Sequence, residues 1–237
     1  MGKLVDGKWV KGSIIKSDEK GSYDREPRSF LDSISINHEK YQPESGRYHL
    51  YVSYACPWAH RVLIMRELKE LTNHISVSVV HPDMMEKGWS FESNFDGATG
   101  DALYAKNYLH EIYQKAQPDV STSVTVPILW DKKTESIVNN ESSEIIRIFN
   151  TAFNELTGNQ EDYYPEELRK EIDEINEGIY HNVNNGVYKT GFSKTQEAYD
   201  EAVTKLFQEL DKLEQHLENR DFLVGERLTE ADIRLIT

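Results

Sequence analysis

The sequence predicts an α/β region followed by an all-helical region. Three observations carry that expectation. Residues 48–80 read as strand, helix, strand; residues 124–154 read as two short strands and a helix; after about residue 160 only helical periodicity remains. At 237 residues the chain has room for one large or two small domains.

Each element has its own reason. Residues 1–45 are polar, punctuated by Gly2, Gly7, Gly12 and Gly21, and read as an irregular N-terminal extension that packs over the domain. Over residues 48–54, Tyr48, Leu50, Val52 and Tyr54 alternate with His49, Tyr51 and Ser53, which is a strand pattern. Ala55-Cys56-Pro57-Trp58-Ala59 then leads into a helix with Val62, Met65, Leu68 and Leu71 near one face. Residues 75–80 form a second strand, expected to run parallel to the first through a right-handed crossover. The polar stretch 81–100 is a long loop of the kind that often carries function. Residues 101–117 read as a helix, 124–130 as a strand, 131–135 as a turn and 137–139 as a short strand paired with it. Residues 142–154 read as a helix. Residues 165–188 and 195–219 read as long helices, and Thr229 with Asp232 makes a capping box, flanked by Leu228 and Ile233, that opens another. The expected bounds are an extension over 1–45, an α/β domain over 46–155 and a helical domain over 160–237.

Composition narrows the function. The chain holds 27 Lys+Arg against 41 Asp+Glu, a net charge of −14, which argues against nucleic acid as a partner. Residues 151–237 carry net −11 and residues 1–150 only −3, so either the two regions do different jobs or the helical surface is simply well solvated. No apolar run reaches the ~18 residues of a membrane span and the first residues lack a signal-peptide core, so no membrane partner and a cytosolic location are expected. One cysteine excludes an intramolecular disulfide, a Cys-based zinc cluster and an internal dithiol switch. No metal-ligand cluster, phosphate-cradling glycine loop or serine-nucleophile elbow is present either.

That cysteine is the central candidate. Cys56 lies where a strand turns into a helix, beside Pro57. Helix N-termini present unpaired N–H groups and partial positive charge, which favour a thiolate. The alternative is a buried structural cysteine; the strand, Cys-Pro, helix-start order is instead the layout of a thioredoxin-like redox site. Three positions on stands Ala59, so no resolving thiol exists and an external thiol, with glutathione the obvious candidate, must release any mixed disulfide. Pro127 sits inside a strand-like run, where it is either an edge proline or a cis residue that frees the backbone of Val126 for an extended peptide ligand. Glu141-Ser142-Ser143-Glu144 opens a helix; its N-terminus suits a carboxylate and Glu141 an ammonium, or the segment is a plain cap. Trp58, Trp89, Tyr180 and Tyr188 either wall a pocket for a flat aromatic substrate or pack in the core, and His60 and Arg61 face the thiolate or solvent.

Together these residues resemble a known family. Tyr54 to Arg61 (Tyr-Ala-Cys-Pro-Trp-Ala-His-Arg), Val126-Pro127 and Glu141-Ser142, followed by an all-helical part, resemble a glutathione transferase. Cys-Pro-Trp-Ala, Gly88-Trp89-Ser90-Phe91 and Val183-Asn184-Asn185-Gly186-Val187-Tyr188-Lys189 resemble the glutathionyl-hydroquinone reductases in particular, the Xi-class or omega-like transferases, with a fungal member the nearest match. The resemblance covers roughly residues 20–237. It implies a thioredoxin-like domain followed by an all-helical glutathione-transferase domain. It also implies Cys56 as nucleophile, with Trp89, Val126, cis Pro127, Glu141 and Ser142 holding glutathione, and Trp58, Tyr180 and Tyr188 at the substrate pocket. The implied reaction takes glutathione off an S-glutathionyl-hydroquinone, with no metal, in a homodimer. Members continue well past the Thr229–Asp232 box, so the helical domain is expected to be incomplete at its C-terminus, with dimer and activity depending on the rest. The competing readings are a general omega-like thioltransferase or dehydroascorbate reductase, and a non-enzymatic binding module of the same fold.

Overall fold

The computed structural model describes residues 2–12 and 16–237; of the N-terminal extension, Met1 and residues 13–15 lie outside the described residues. In chain order the strands are β1 (Gly2–Val5), β2 (Lys8–Lys11), β3 (Lys16–Ser17), β4 (Tyr23–Asp24), β5 (Tyr48–Val52), β6 (Ser76–Val79), β7 (Thr122–Ser123), β8 (Ile128–Asp131) and β9 (Ser136–Asn139). The α-helices are α1 (Pro57–Leu68), α2 (Leu109–Ala116), α3 (Ser142–Thr151), α4 (Asn154–Thr157), α5 (Arg169–Gly178), α6 (Asn185–Phe192), α7 (Gln196–Leu217) and α8 (Glu230–Leu235). They form two compact units, residues 1–14 with 27–161 and residues 15–26 with 162–237. Among the described residues no helix is long and apolar enough to cross a membrane.

The first unit is built on a four-stranded sheet ordered β6-β5-β8-β9. β5 and β6 are parallel, as the strand-helix-strand spacing requires, and the other two pairings are antiparallel. The residues of β5 alternate in chemistry, yet all five are buried. Both faces of this central strand are covered: Tyr51 donates to Asp101 (3.1 Å) and Tyr48 packs edge-on against Phe153. At the end of the central pair β5 and β8, Arg47 makes two 2.8 Å bonds to the fully buried Asp131.

Three local readings in this unit are revised. Residues 101–108 are not helical, and α2 begins only at Leu109. The Asp101 carboxylate accepts from the amides of Leu103, Tyr104 and Lys106 (3.0–3.2 Å), but Ala105 at φ +52° turns the chain out of the helix before a ladder forms. Glu111 then accepts from the Asn107 and Tyr108 amides (both 2.9 Å) and opens the real helix. The strand expected over 124–130 starts at Ile128, because Pro127 has no N–H to give the ladder. The first residues are not irregular: β1 and β2 make a hairpin across Asp6-Gly7, both at positive φ (47° and 70°), and β1 also pairs with β7.

The second unit is helical apart from the β3–β4 pair. Its core is Ile172, Ile179, Leu213, Leu223, Val224 and Ala231. The long helix expected over 165–188 is interrupted by a π-helical stretch at Ile179–Asn184. The box at Thr229 forms as expected: Asp232 accepts from the Thr229 amide and, through its other oxygen, from the Leu223 amide, both at 2.8 Å. Residues 16–26 belong to this unit. The Lys194 amide donates to Gly21 O (2.9 Å), and Thr195, the N-cap of α7, donates to Lys20 O (2.9 Å).

Candidate active site

Cys56 is the N-cap of α1, in extended backbone geometry (φ −108°, ψ 113°), with Pro57 as the first helical residue. Proline there fixes where the helix starts, since its missing N–H would have had no helical partner. The Cys56 amide donates to Ser53 O (3.1 Å), and its carbonyl accepts from Ala59 N (3.1 Å) and His60 N (3.0 Å). The side chain is half-buried at the positive end of the helix, a setting that favours a thiolate. Its Sγ lies 3.6 Å from the carbonyl oxygen of Val126. Ala59 is fully buried below it and offers no second sulfur.

Val126 and Pro127 are joined by a cis peptide bond and lie between β7 and β8. Val126 is therefore outside the ladder that pairs β5 with β8. Glu141 is the N-cap of α3, and its Oε1 accepts from Ser143 N (3.2 Å) and Ser143 Oγ (3.1 Å). Ser142, the first residue of α3, is buried. The end of this helix thus combines a carboxylate, two hydroxyls and N–H groups, a donor and acceptor set suited to an amino-acid headgroup.

Trp89 is half-buried, and its carbonyl accepts from Leu109 N (2.9 Å). The turn before it is held by an aromatic stack that the sequence did not reveal. Trp9 of β2 stacks on His110 (4.7 Å) and donates to Glu86 O (3.2 Å); His110 stacks on Tyr108 (5.4 Å) and bonds Lys87 O through Nδ1 (3.1 Å). Gly88 is at positive φ with Trp9 so close that a Cβ would meet the ring at 2.8 Å. The available signal was Asp-Gly between Lys-Leu-Val and Lys-Trp-Val, a hairpin mark that brings Trp9 into place.

Trp58 is buried in α1 with the Arg61 guanidinium 4.7 Å over its ring, and Arg61 is itself buried. Tyr180 and Tyr188 lie in the second unit, both half-buried. Tyr180 is in the π-helical stretch beside His181. Tyr188 on α6 has the Arg25 guanidinium 4.6 Å over its ring and Tyr23 stacked at 6.1 Å, while Arg25 donates to the buried Asn185 (2.6 Å). The structure therefore brings Cys56 and Val126 together within the first unit and groups Tyr188 with residues of the N-terminal segment in the second. Among the described residues no group of three or more His, Cys, Asp or Glu is arranged to hold a metal ion.

Comparison with known proteins agrees with this architecture. Residues 55–152 match the glutathione S-transferase N-terminal domain and residues 196–237 the C-terminal domain. The glutathionyl-hydroquinone reductase YqjG of Escherichia coli is 52% identical across all of this chain, which spans 74% of that protein. The glutathione-bound structure of YqjG superposes with a TM-score of 0.89 at 51% identity, covering 99% of this chain and 72% of that one. The Xi glutathione S-transferase of Phanerochaete chrysosporium superposes with a TM-score of 0.90 at 53% identity, covering 93% and 71%. These identities to a bacterial and a fungal protein are nearly equal, and they do not favour a fungal source. A chain with this cysteine at the head of α1, this Val-Pro turn and this degree of identity belongs to the glutathionyl-hydroquinone reductases, the Xi class of glutathione transferases.

Proposed function

We infer that the protein removes glutathione from S-glutathionyl-hydroquinones. The observation that carries this is a single cysteine at a helix N-terminus, beside the Val126 carbonyl, in a chain without a second thiol. The Cys56 thiolate attacks the glutathione sulfur. The bond from that sulfur to the aromatic carbon breaks, its electron pair goes to the ring carbon, and the carbon takes up a proton to give the free hydroquinone. A second glutathione thiolate then attacks the Cys56 mixed disulfide, giving oxidised glutathione and restoring Cys56. The net change is one conjugate and one glutathione to one hydroquinone and one glutathione disulfide.

In this reading the Val126 backbone pairs with the cysteinyl part of glutathione, presented by Pro127. Glu141 takes the γ-glutamyl ammonium and Ser142 its carboxylate, while Trp89 closes on the tripeptide. Trp58 backs the first turn of α1, and Tyr180 and Tyr188 are proposed as aromatic-binding residues of the second unit. The cytosol supplies both the reducing conditions Cys56 needs and the releasing thiol. The assembly we propose is a homodimer, which light scattering checks.

The test is turnover of a glutathionyl-hydroquinone with added glutathione, alongside a simple glutathione mixed disulfide and dehydroascorbate. Wild type is expected to turn over the first substrate, and Cys56→Ser to lose activity and form no mixed disulfide. Turnover of the other two substrates alone would replace this reading with a general thioltransferase. Undiminished activity of Cys56→Ser would end the nucleophile assignment.

A further inference from the structure

The two segments assigned to glutathione come from different parts of the first unit. One precedes β8 and carries Val126; the other joins β9 to α3 and carries Glu141. A single buried hydroxyl connects them. Tyr113 of α2, with no exposed surface, donates its O–H to Thr125 O (2.9 Å), and the same oxygen accepts from Thr125 N (3.3 Å) and Asn140 Nδ2 (3.1 Å). A tyrosine hydroxyl has one donor and two acceptor positions, so its capacity is fully used. Thr125 is the residue before Val126, and Asn140 the residue before Glu141.

Asn140 is itself fixed. Its amide donates to Phe30 O (3.0 Å), its Oδ1 accepts from Phe30 N (3.3 Å), and the Phe30 ring meets Tyr113 edge-on at 5.9 Å. Asn140 is almost completely buried, so each of these bonds replaces one that water cannot supply. The result is a rigid link, through one oxygen atom, between Thr125, one residue before the carbonyl that faces the Cys56 sulfur, and Asn140, one residue before the cap of α3.

We propose that Tyr113, oriented by Asn140, is a positioning residue for glutathione. It holds the Val126 peptide and the Glu141 cap at one separation, so that the cysteinyl and γ-glutamyl ends of the tripeptide are met together. This rests on the glutathione assignments of Val126 and Glu141. Its effect belongs to binding rather than to the sulfur chemistry, because the hydroxyl touches neither Cys56 nor the tripeptide and acts through the two backbone segments. Displacements of a fraction of an ångström matter at such sites.

The experiment compares wild type, Tyr113→Phe and Tyr48→Phe. Tyr48→Phe is the control, removing an equally buried hydroxyl that donates to Gln42 O (2.7 Å), outside both segments. Tyr113→Phe is expected to raise the KM for glutathione about fivefold and leave kcat within about twofold, while Tyr48→Phe leaves both unchanged. Amide hydrogen exchange on the same proteins reads the link without turnover: in Tyr113→Phe the peptides holding Thr125–Val126 and Asn140–Glu141 exchange faster together, and in Tyr48→Phe they do not. An unchanged KM or unchanged exchange in Tyr113→Phe, or an equal effect in Tyr48→Phe, overturns the proposal. If wild type does not turn over glutathione at all, the assigned function fails, and the exchange result alone decides whether the link exists. Should Tyr113→Phe not fold, Asn140→Asp removes the Nδ2 donor to the same hydroxyl and carries the same expectations.

Discussion

The stability of the first unit should depend on pH through one ring on its central strand. His49 is fully buried on β5, with Nδ1 2.7 Å from Ser76 Oγ, Nε2 2.9 Å from Ser78 Oγ and the ring edge-on to Tyr51 at 4.7 Å. Burial, with the Lys132 charge acting in the same direction, pushes its imidazole down from 6.5 to about 4. Between those values the unfolded chain holds a proton on this ring and the folded chain does not. Folding stability is therefore unaffected by His49 above pH 6.5, falls as pH drops from 6.5 toward 4, and stops falling below that. The shift amounts to about 2 kcal/mol lost by pH 5 relative to pH 8. Urea unfolding of wild type and His49→Gln at pH 8, 6 and 5 measures it. Wild type should lose about 2 kcal/mol more than the variant across that range. His110, which burial also pushes down, titrates in both proteins and cancels in the difference. Parallel stability curves for the two proteins would refute the reasoning.

Two further predictions follow from buried partners. Asp131→Ala leaves the Arg47 guanidinium buried without its two 2.8 Å bonds and should cost about 3–5 kcal/mol in urea denaturation. Asp232→Ala removes the acceptor for both the Thr229 and Leu223 amides and should cost about 2 kcal/mol, seen as a lower thermal midpoint.

Where a structural feature depends on a short stretch of chain, the residues announced it. Tyr48 to Val80 read correctly as strand, helix, strand because residues alternate in β5 and β6 and Pro57 opens the helix between them. Pro57 marked the first residue of α1 and so made Cys56 its cap. Thr229 and Asp232 marked α8 in the same way. Local reading failed where a side chain outcompeted the backbone pattern. Ala105 turned to positive φ and Asp101 took the Lys106 amide that a helix over 101–108 would have used, while Pro127 withheld the one a longer strand needed. The N-terminal hairpin was missed for a different reason: its strands are four residues each, too short for alternation to show, and only Asp6-Gly7 between them carried the signal.

The site divides along the same line. That a lone thiol with Ala59 three positions on would need an external thiol to finish an exchange cycle is an expectation about one residue and its neighbours, and the sequence alone poses it. Which groups stand around that thiol depends on where distant stretches of chain cross. Cys56 Sγ meets the Val126 carbonyl across 70 residues. The Tyr113 hydroxyl joins Thr125 to Asn140 from a helix whose own periodicity gives no hint of either. A side chain's hydrogen-bond capacity is a local property, but its partners are chosen by packing, and only the tertiary structure decided them.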